Sequence, residues 1–145
     1  MQIKTHRFPL EMLKEANLIE NEEDRAAYIR HNMNSAVAKI LIAIHNPNIE
    51  FFFPRNIKYK QPHKNLPESS LAKEIKRLYL FTKPTMLDEA TLTRLLIRTL
   101  ESLSNEESEF FLNSMLAKKN PFKNLGKVFV RHQFPKLLEF TTMPR

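Results

Sequence analysis

The sequence predicts an all-α fold, a compact single-domain bundle of about five to six helices with one extended loop rich in aromatic residues and proline. The chain of 145 residues contains only one glycine, Gly126, whereas a fold of many tight hairpins relies heavily on glycine. Apolar residues recur at helical spacing, and most of the nine prolines lie between the periodic stretches. With 42% hydrophobic residues, one helical domain over residues 1–145 is expected to bury a core without metal or disulfide.

In the N-terminal part, a short helix is predicted from Leu10 to Ile19, and the clearest helix of the chain from Asn21 to His45. Asn21 is a suitable N-cap, and the three acidic residues that follow it complement the positive end of the helix dipole. His31 and His45 are interpreted as partly buried or capping residues rather than metal ligands. The apolar stripe of this helix consists of Met33, Val37, Ile40, Leu41 and Ile44.

The segment from Phe51 to Pro67 begins with three consecutive phenylalanines and contains three prolines, which predicts an extended loop. These phenylalanines and Tyr59 are predicted to anchor the loop in the core, with stacking on single-stranded nucleic acid as the alternative. A further helix is predicted between Ser69 and Thr82.

In the C-terminal part, one helix is predicted from about Asp88, and the pair Ser104 and Glu107 forms a capping-box pattern that opens the next. The last helix is predicted from Leu125 to Gln133. It ends before Pro135 because the residue preceding a proline is disfavoured in the α conformation.

A net charge of +7 and a pI near 9.7 favour polyanionic partners such as nucleic acid or acidic protein surfaces. The most informative stretch runs from 118 to 136 and contains basic residues but no acidic one. If Asn124 caps a helix, Lys123, Lys127 and Arg131 lie four residues apart and share one exposed face. Leu125, Val128 and Phe129 then point toward the core. The predicted nucleic-acid-binding residues of this stretch are Lys118, Lys119, Lys123, Lys127, Arg131 and Lys136.

A second segment without acidic residues contributes further candidates, and the two segments together would form one surface if they meet. Both are equally compatible with a merely solubilising role. The predicted nucleic-acid-binding residues of this second segment are Arg55, Lys58, Lys60 and Lys64. His63 belongs to the segment but is not one of the predicted binding residues.

Several chemistries are excluded or disfavoured by the residue types. The absence of cysteine excludes disulfides and thiolate chemistry and fits a reducing cytosol. A single glycine cannot build a P-loop or a dinucleotide-binding loop, and the histidines lack the spacing of a helical zinc site. The clustered carboxylates are interpreted as helix starts rather than acid–base pairs. No enzyme activity, cofactor, metal, small-molecule substrate or membrane insertion is therefore expected.

Two resemblances carry further expectations. The ending S-N-E-E-S-E-F-F-L-N-S-M-L-A-K-K-N-P-F-K-N-L-G-K-V-F-V-R-H-Q-F-P-K-L-L, from 104 to 138, resembles the close of the helical N-terminal DNA-binding region of phage-type ATP-dependent DNA ligases. The chain lacks the K-x-D-G motif of these enzymes, so adenylation and sealing are not implied. The motifs N-P-N-I-E-F-F-F-P, L-A-K-E-I-K-R-L-Y-L-F and L-E-S-L-S-N-E-E-S resemble a family of small uncharacterised proteins of T-even-like tailed phages, including cyanophages.

The resemblances and the charge together lead to two functional hypotheses. The first is a non-catalytic phage accessory protein that binds duplex DNA through a basic helical face in the cytoplasm of the infected bacterial host. The second is a phage adaptor or inhibitor that binds a phage or host protein, or a virion component, instead of nucleic acid.

Overall fold

The structure, a computed structural model, describes residues 8–60 and 67–145. The prediction of an all-α fold is confirmed, with seven α-helices among the described residues rather than five to six. In chain order these are α1 (Pro9–Asn17), α2 (Glu22–His31), α3 (Ser35–His45), α4 (Leu71–Glu74), α5 (Glu89–Ser102), α6 (Asn105–Glu109) and α7 (Lys127–Gln133). A first 3₁₀ helix (Ile75–Phe81) follows α4, a π-helical segment (Phe110–Leu116) follows α6, and a final 3₁₀ helix (Pro135–Leu138) follows α7.

The prediction of one continuous helix from Asn21 to His45 is wrong, because the chain breaks between α2 and α3. Asn21 caps α2 as predicted, and its side chain accepts a hydrogen bond from the Asp24 amide at 3.0 Å. Asn34 has extended backbone geometry and starts a new helix by accepting from the Val37 amide at 2.9 Å. Two caps within one apolar repeat therefore produce two helices instead of one.

The predicted helix between Ser69 and Thr82 is present but changes type along its length. Ser70 caps α4, and its hydroxyl accepts from the Lys73 amide. From Ile75 the helix tightens into a 3₁₀ helix of seven residues, which is long for this conformation because its hydrogen bonds are poorly aligned. The tightening changes which side chains share a face.

α5 and α6 begin at the predicted positions, α5 after Asp88 and α6 at the predicted cap Ser104. The Asp88 carboxylate accepts from the Thr91 amide at 2.7 Å, and the Ser104 hydroxyl accepts from the Glu107 amide at 3.2 Å. The Glu107 carboxylate accepts from the amide of Leu71, at the start of α4, at 3.3 Å. Burial raises the pKa of Glu107, and the bond from Leu71 opposes this. The capping pattern therefore also ties α6 to α4.

α3 is the central helix, and it contacts the π-helical segment, α7 and both 3₁₀ helices. Eight of its eleven residues are buried, including His45 at its last position. Asn46, directly after α3, is fully buried and donates from its side-chain amide to the carbonyls of Leu137 (3.1 Å) and Phe140 (2.8 Å). These bonds hold the C-terminal turn against the centre of the bundle.

The described part of the aromatic loop, residues 51–60, contains no helix, as predicted. Phe51 is buried and forms an isolated antiparallel bridge with Thr82. Phe52 and Tyr59 pack partly against the core, whereas Phe53 is exposed. Core anchoring therefore holds for three of the four aromatic residues, and only Phe53 offers a free ring.

Candidate nucleic-acid interface

Five of the six cations predicted in the C-terminal stretch are exposed to solvent. Their side chains form no hydrogen bond or ion pair with any residue between 8 and 60 or between 67 and 145. Unpaired charges of one sign raise the local positive potential, which attracts polyanions. We call this group the C-terminal basic set, and it consists of Lys119, Lys123, Lys127, Arg131 and Lys136.

Lys118, the sixth cation predicted to bind nucleic acid, is half-buried, and its ammonium group is hydrogen-bonded within the fold. Its ammonium group donates to the carbonyls of Ala43 at 2.7 Å and Asn46 at 2.8 Å, and lies 5.4 Å from the centre of the Phe51 ring. The Ala43 carbonyl would ordinarily accept from the amide four residues later, but that residue is Pro47, which has no N–H. Lys118 therefore supplies the missing donor at the end of α3.

The backbone of Lys118 also has an unusual conformation. Its φ of 59° lies in the left-handed region, where a residue with a Cβ atom is disfavoured by about 1 to 2 kcal/mol. The position follows the π-helical segment, at a place where glycine is common. Burial lowers the pKa of Lys118 to about 8, and Glu50 opposes this shift. Lys118 still carries its charge at neutral pH for the most part.

His45 lies close to Lys118 at the end of α3 and was predicted to be partly buried, which is confirmed. Burial, and then the charge of Lys118, lower the pKa of His45 to about 4, so its ring is neutral at physiological pH. Its Nε2 atom is buried without a hydrogen-bond partner. A neutral ring on an apolar helix end is a structural group, and it adds no charge to the interface.

The last α-helix does not begin where the sequence indicated. Gly126, not Asn124, is its N-cap and provides no side-chain oxygen. Asn124 instead binds the end of α1, where its amide and its side chain contact Asn17 at 2.8 Å and 2.7 Å. The predicted face of three cations at spacing four is therefore wrong, since Lys123 precedes the helix.

The two remaining cations of that face, Lys127 and Arg131, are one turn apart on α7 and both are exposed. Leu125 and Phe129 point into the core as predicted, but Val128 is 75% exposed, contrary to the prediction. The outer surface of α7 therefore has two cations with an apolar side chain beside them.

Acidic residues border this surface at the far end of α7. The Glu22 carboxylate contacts the His132 ring at 3.1 Å and accepts from the Gln133 side chain at 3.0 Å. The hydrogen bond from Gln133, and to a smaller extent that with His132, lower the pKa of Glu22. A stretch without acidic residues in sequence thus has acidic neighbours in space. These neighbours limit the basic surface at the C-terminal end of α7.

The second basic segment shows the same difference between sequence and space. Arg55, Lys58 and Lys60 are exposed, but the Lys60 amide donates to the Glu101 carboxylate at 2.7 Å. Burial, and then the charge of Glu109, raise the pKa of the neighbouring Tyr59. His63 and Lys64 lie outside the described residues. The contact of Lys118 with the Phe51 ring joins the C-terminal stretch to the start of the aromatic loop, which precedes the second basic segment.

The described residues also bear on metal binding and membrane insertion. Within 8–60 and 67–145, no group of three or more histidine, aspartate or glutamate side chains is arranged to hold a metal ion. No helix in these ranges has both the length and the apolar character required to cross a membrane. No protein-family model, curated protein or solved structure matches this chain.

Proposed function

We propose that the chain is a non-catalytic accessory protein that binds duplex DNA through the C-terminal basic set. The observation that supports the proposal is the exposure of all five cations without a neutralising partner among the described residues. Contacts to phosphate give affinity without sequence readout, and they need flexible, unpaired cations rather than a pocket. The resemblance of residues 104–138 to the ligase DNA-binding region supports the same function.

The proposal has a quantitative consequence in the salt dependence of binding. Each neutralised phosphate contributes about 0.9 to the slope of log K against log salt, so five contacts give a slope of about 4.5. Raising the salt concentration fourfold, from 50 to 200 mM, then weakens binding by a factor of about 500.

The test is fluorescence anisotropy with a labelled duplex, titrated at several salt concentrations. The double variant Lys127→Gln/Arg131→Gln is expected to reduce the salt slope by about 2 and to weaken binding to all duplex sequences alike. A matched control, Lys83→Gln/Arg94→Gln, removes two exposed cations outside the basic set and alters the net charge by the same amount. Absence of binding at 50 mM salt, or equal weakening by both double variants, refutes the proposal.

One observation favours the second function, recognition of a phage or host protein. Val128 is 75% exposed beside Lys127 and Arg131, and an apolar side chain next to cations suits a partner with an acidic rim around an apolar pocket. Val128→Asn separates the two functions, since it leaves phosphate contacts intact. Under the DNA-binding proposal this variant retains the wild-type affinity for duplex DNA and its salt slope.

A further inference from the structure

A cavity of about 300 Å³ lies between the first 3₁₀ helix and α5, away from the C-terminal basic set. Its size is at the lower end of the range for small-molecule sites. Its described lining combines charged, hydroxyl and apolar side chains. They are Glu68, Ser69, Glu74, Arg77, Leu80, Phe81, Leu95, Arg98, Thr99 and Ser102.

The change of helix type after α4 creates one wall of this cavity. A 3₁₀ helix has three residues per turn, so side chains three apart lie directly above one another. Arg77 and Leu80 are spaced in this way within the 3₁₀ helix, and Glu74, the last residue of α4, precedes Arg77 by three positions; all three line the cavity. In an α-helix the same residues would diverge by about 60° at each step. The unusually long 3₁₀ helix is therefore what brings Arg77 into the cavity wall.

The opposite wall belongs to α5, and a backbone hydrogen bond joins the two walls. The amide of Ser69 donates to the carbonyl of Ser102 at 2.9 Å, which fixes the start of α4 against the end of α5. The Ser69 hydroxyl donates to the Glu74 carboxylate at 2.6 Å, and the Ser102 hydroxyl donates to the Thr99 carbonyl at 2.7 Å. The cavity is thus framed by fixed elements, which favours a preformed site.

Two guanidinium groups from different helices, those of Arg77 and Arg98, line this space. Neither makes an ion pair or hydrogen bond with any residue of the described ranges, although the carboxylates of Glu68 and Glu74 line the same cavity. Arginine presents a planar set of donors that matches the oxygens of a phosphate group. Both arginines are exposed, so their donors are open to an anion that enters the cavity.

The rest of the lining restricts the ligand further. Glu68 is exposed, and the Glu74 carboxylate accepts from the Ser69 hydroxyl. Both carboxylates favour hydrogen-bond donors on the ligand and restrict its anionic group to the side of the arginines. Leu80 and Leu95 are half-buried and form the accessible apolar part of the cavity, whereas Phe81 is only 2% exposed and offers no surface to a ligand. A ligand with an anionic end, a donor group and an apolar face matches all three features.

We propose that this cavity binds a small phosphate monoester that carries hydrogen-bond donors and an apolar ring, the chemical class of the nucleoside monophosphates. Arg77 and Arg98 bind the phosphate, and Glu68 accepts from the donors of the ligand. The site shares no residue with the C-terminal basic set, so it does not depend on the proposed binding of duplex DNA.

Isothermal titration calorimetry of the full chain tests the site, with each of the common nucleoside monophosphates, the parent nucleosides and inorganic phosphate as separate ligands. At least one monophosphate is expected to bind at least about tenfold more tightly than its nucleoside and than inorganic phosphate. Arg77→Gln and Arg98→Gln should each weaken this binding at least about tenfold, because each removes a charge-assisted contact.

Arg94→Gln is the matched control, since Arg94 lies one turn earlier on α5 and donates to Thr91 outside the cavity. It should leave the affinity unchanged, and circular dichroism checks that all three variants unfold at the same temperature as the wild type. If a variant is destabilised, Arg98→Lys replaces Arg98→Gln and is expected to bind with intermediate affinity.

A 5′-phosphorylated oligonucleotide and its unphosphorylated form distinguish a free mononucleotide from the end of a strand as the source of the phosphate. Tighter binding of the phosphorylated strand, lost in Arg98→Gln but kept in Lys127→Gln/Arg131→Gln, supports the site with a strand end as its ligand. The proposal is overturned if no monophosphate binds at millimolar concentration, if inorganic phosphate binds equally well, or if Arg94→Gln weakens binding as much as Arg98→Gln.

Discussion

Replacement of Lys118 by methionine is expected to destabilise the protein, although the residue lies in the most basic part of the sequence. Methionine keeps the apolar stem but removes the ammonium group that donates to the carbonyls of Ala43 and Asn46. The Asn46 carbonyl retains a second donor, the Ile49 amide at 3.4 Å. The Ala43 carbonyl retains none, because Pro47 has no N–H.

The magnitude follows from these contacts. A buried acceptor left without a partner costs about 1 to 3 kcal/mol, and loss of the contact with the Phe51 ring adds about 0.5 to 1 kcal/mol. The free energy of unfolding should therefore fall by about 1.5 to 4 kcal/mol in Lys118→Met. Lys118→Gly also loses the ammonium group but relieves the left-handed backbone, so it should be about 1 kcal/mol more stable than Lys118→Met.

Urea unfolding at pH 7, followed by circular dichroism, measures these differences. Lys119→Met is the matched control, because it removes an exposed cation from the adjacent position and should change the free energy of unfolding by less than about 0.5 kcal/mol. Equal stability of the wild type and Lys118→Met would refute the assignment of Lys118 to the end of α3. Lower stability of Lys118→Gly than Lys118→Met would refute the part attributed to the backbone.

Three further predictions concern local features of the fold. The pKa of His45 is about 4 in the folded protein and 6.5 in the unfolded chain, so the folded protein favours the neutral ring. The contribution of this neutral ring to the free energy of unfolding is therefore complete above pH 6.5 and is lost as the pH falls toward 4. The loss amounts to at most about 3 kcal/mol; His45→Leu should remove this part of the pH dependence in urea unfolding at pH 7 and pH 4.5, and an unchanged difference contradicts it. Asn34→Ala should lower the unfolding free energy by about 1 kcal/mol by removing the cap of α3, and an unaltered thermal midpoint would count against that cap. Gly126→Ser should stabilise the chain by a few tenths of a kcal/mol, since a Cβ atom there meets nothing within 4 Å and serine supplies the missing cap; a lower thermal midpoint would show that the glycine is required.

Features that depend on a few neighbouring residues were predictable from the sequence. The caps at Asn21, Asp88 and Ser104 are examples, because each side chain accepts from an amide three residues later. The break before α3 was missed although its signal is local. Asn34 is itself a strong N-cap, and the apolar repeat across the break concealed it.

Features set by tertiary contacts were not predictable. Lys118 has the same sequence context as Lys119, and only the position of α3 decides that one is half-buried and the other exposed. The 3₁₀ helix after α4 and the π-helical segment retain ordinary helical residue types, so no residue pattern distinguishes them from α-helix. No pattern in the sequence therefore indicates that Arg77 and Arg98 line one cavity.

The burial of Asn46 makes one side chain a reporter for the end of the chain. Its two amide protons are held by the carbonyls of Leu137 and Phe140, so they exchange with deuterium only when the C-terminal turn detaches from the bundle. A pair of slowly exchanging side-chain resonances from this residue would mark a docked turn in solution. Truncation before residue 137 would release both protons at once and leave a polar amide inside an apolar interior.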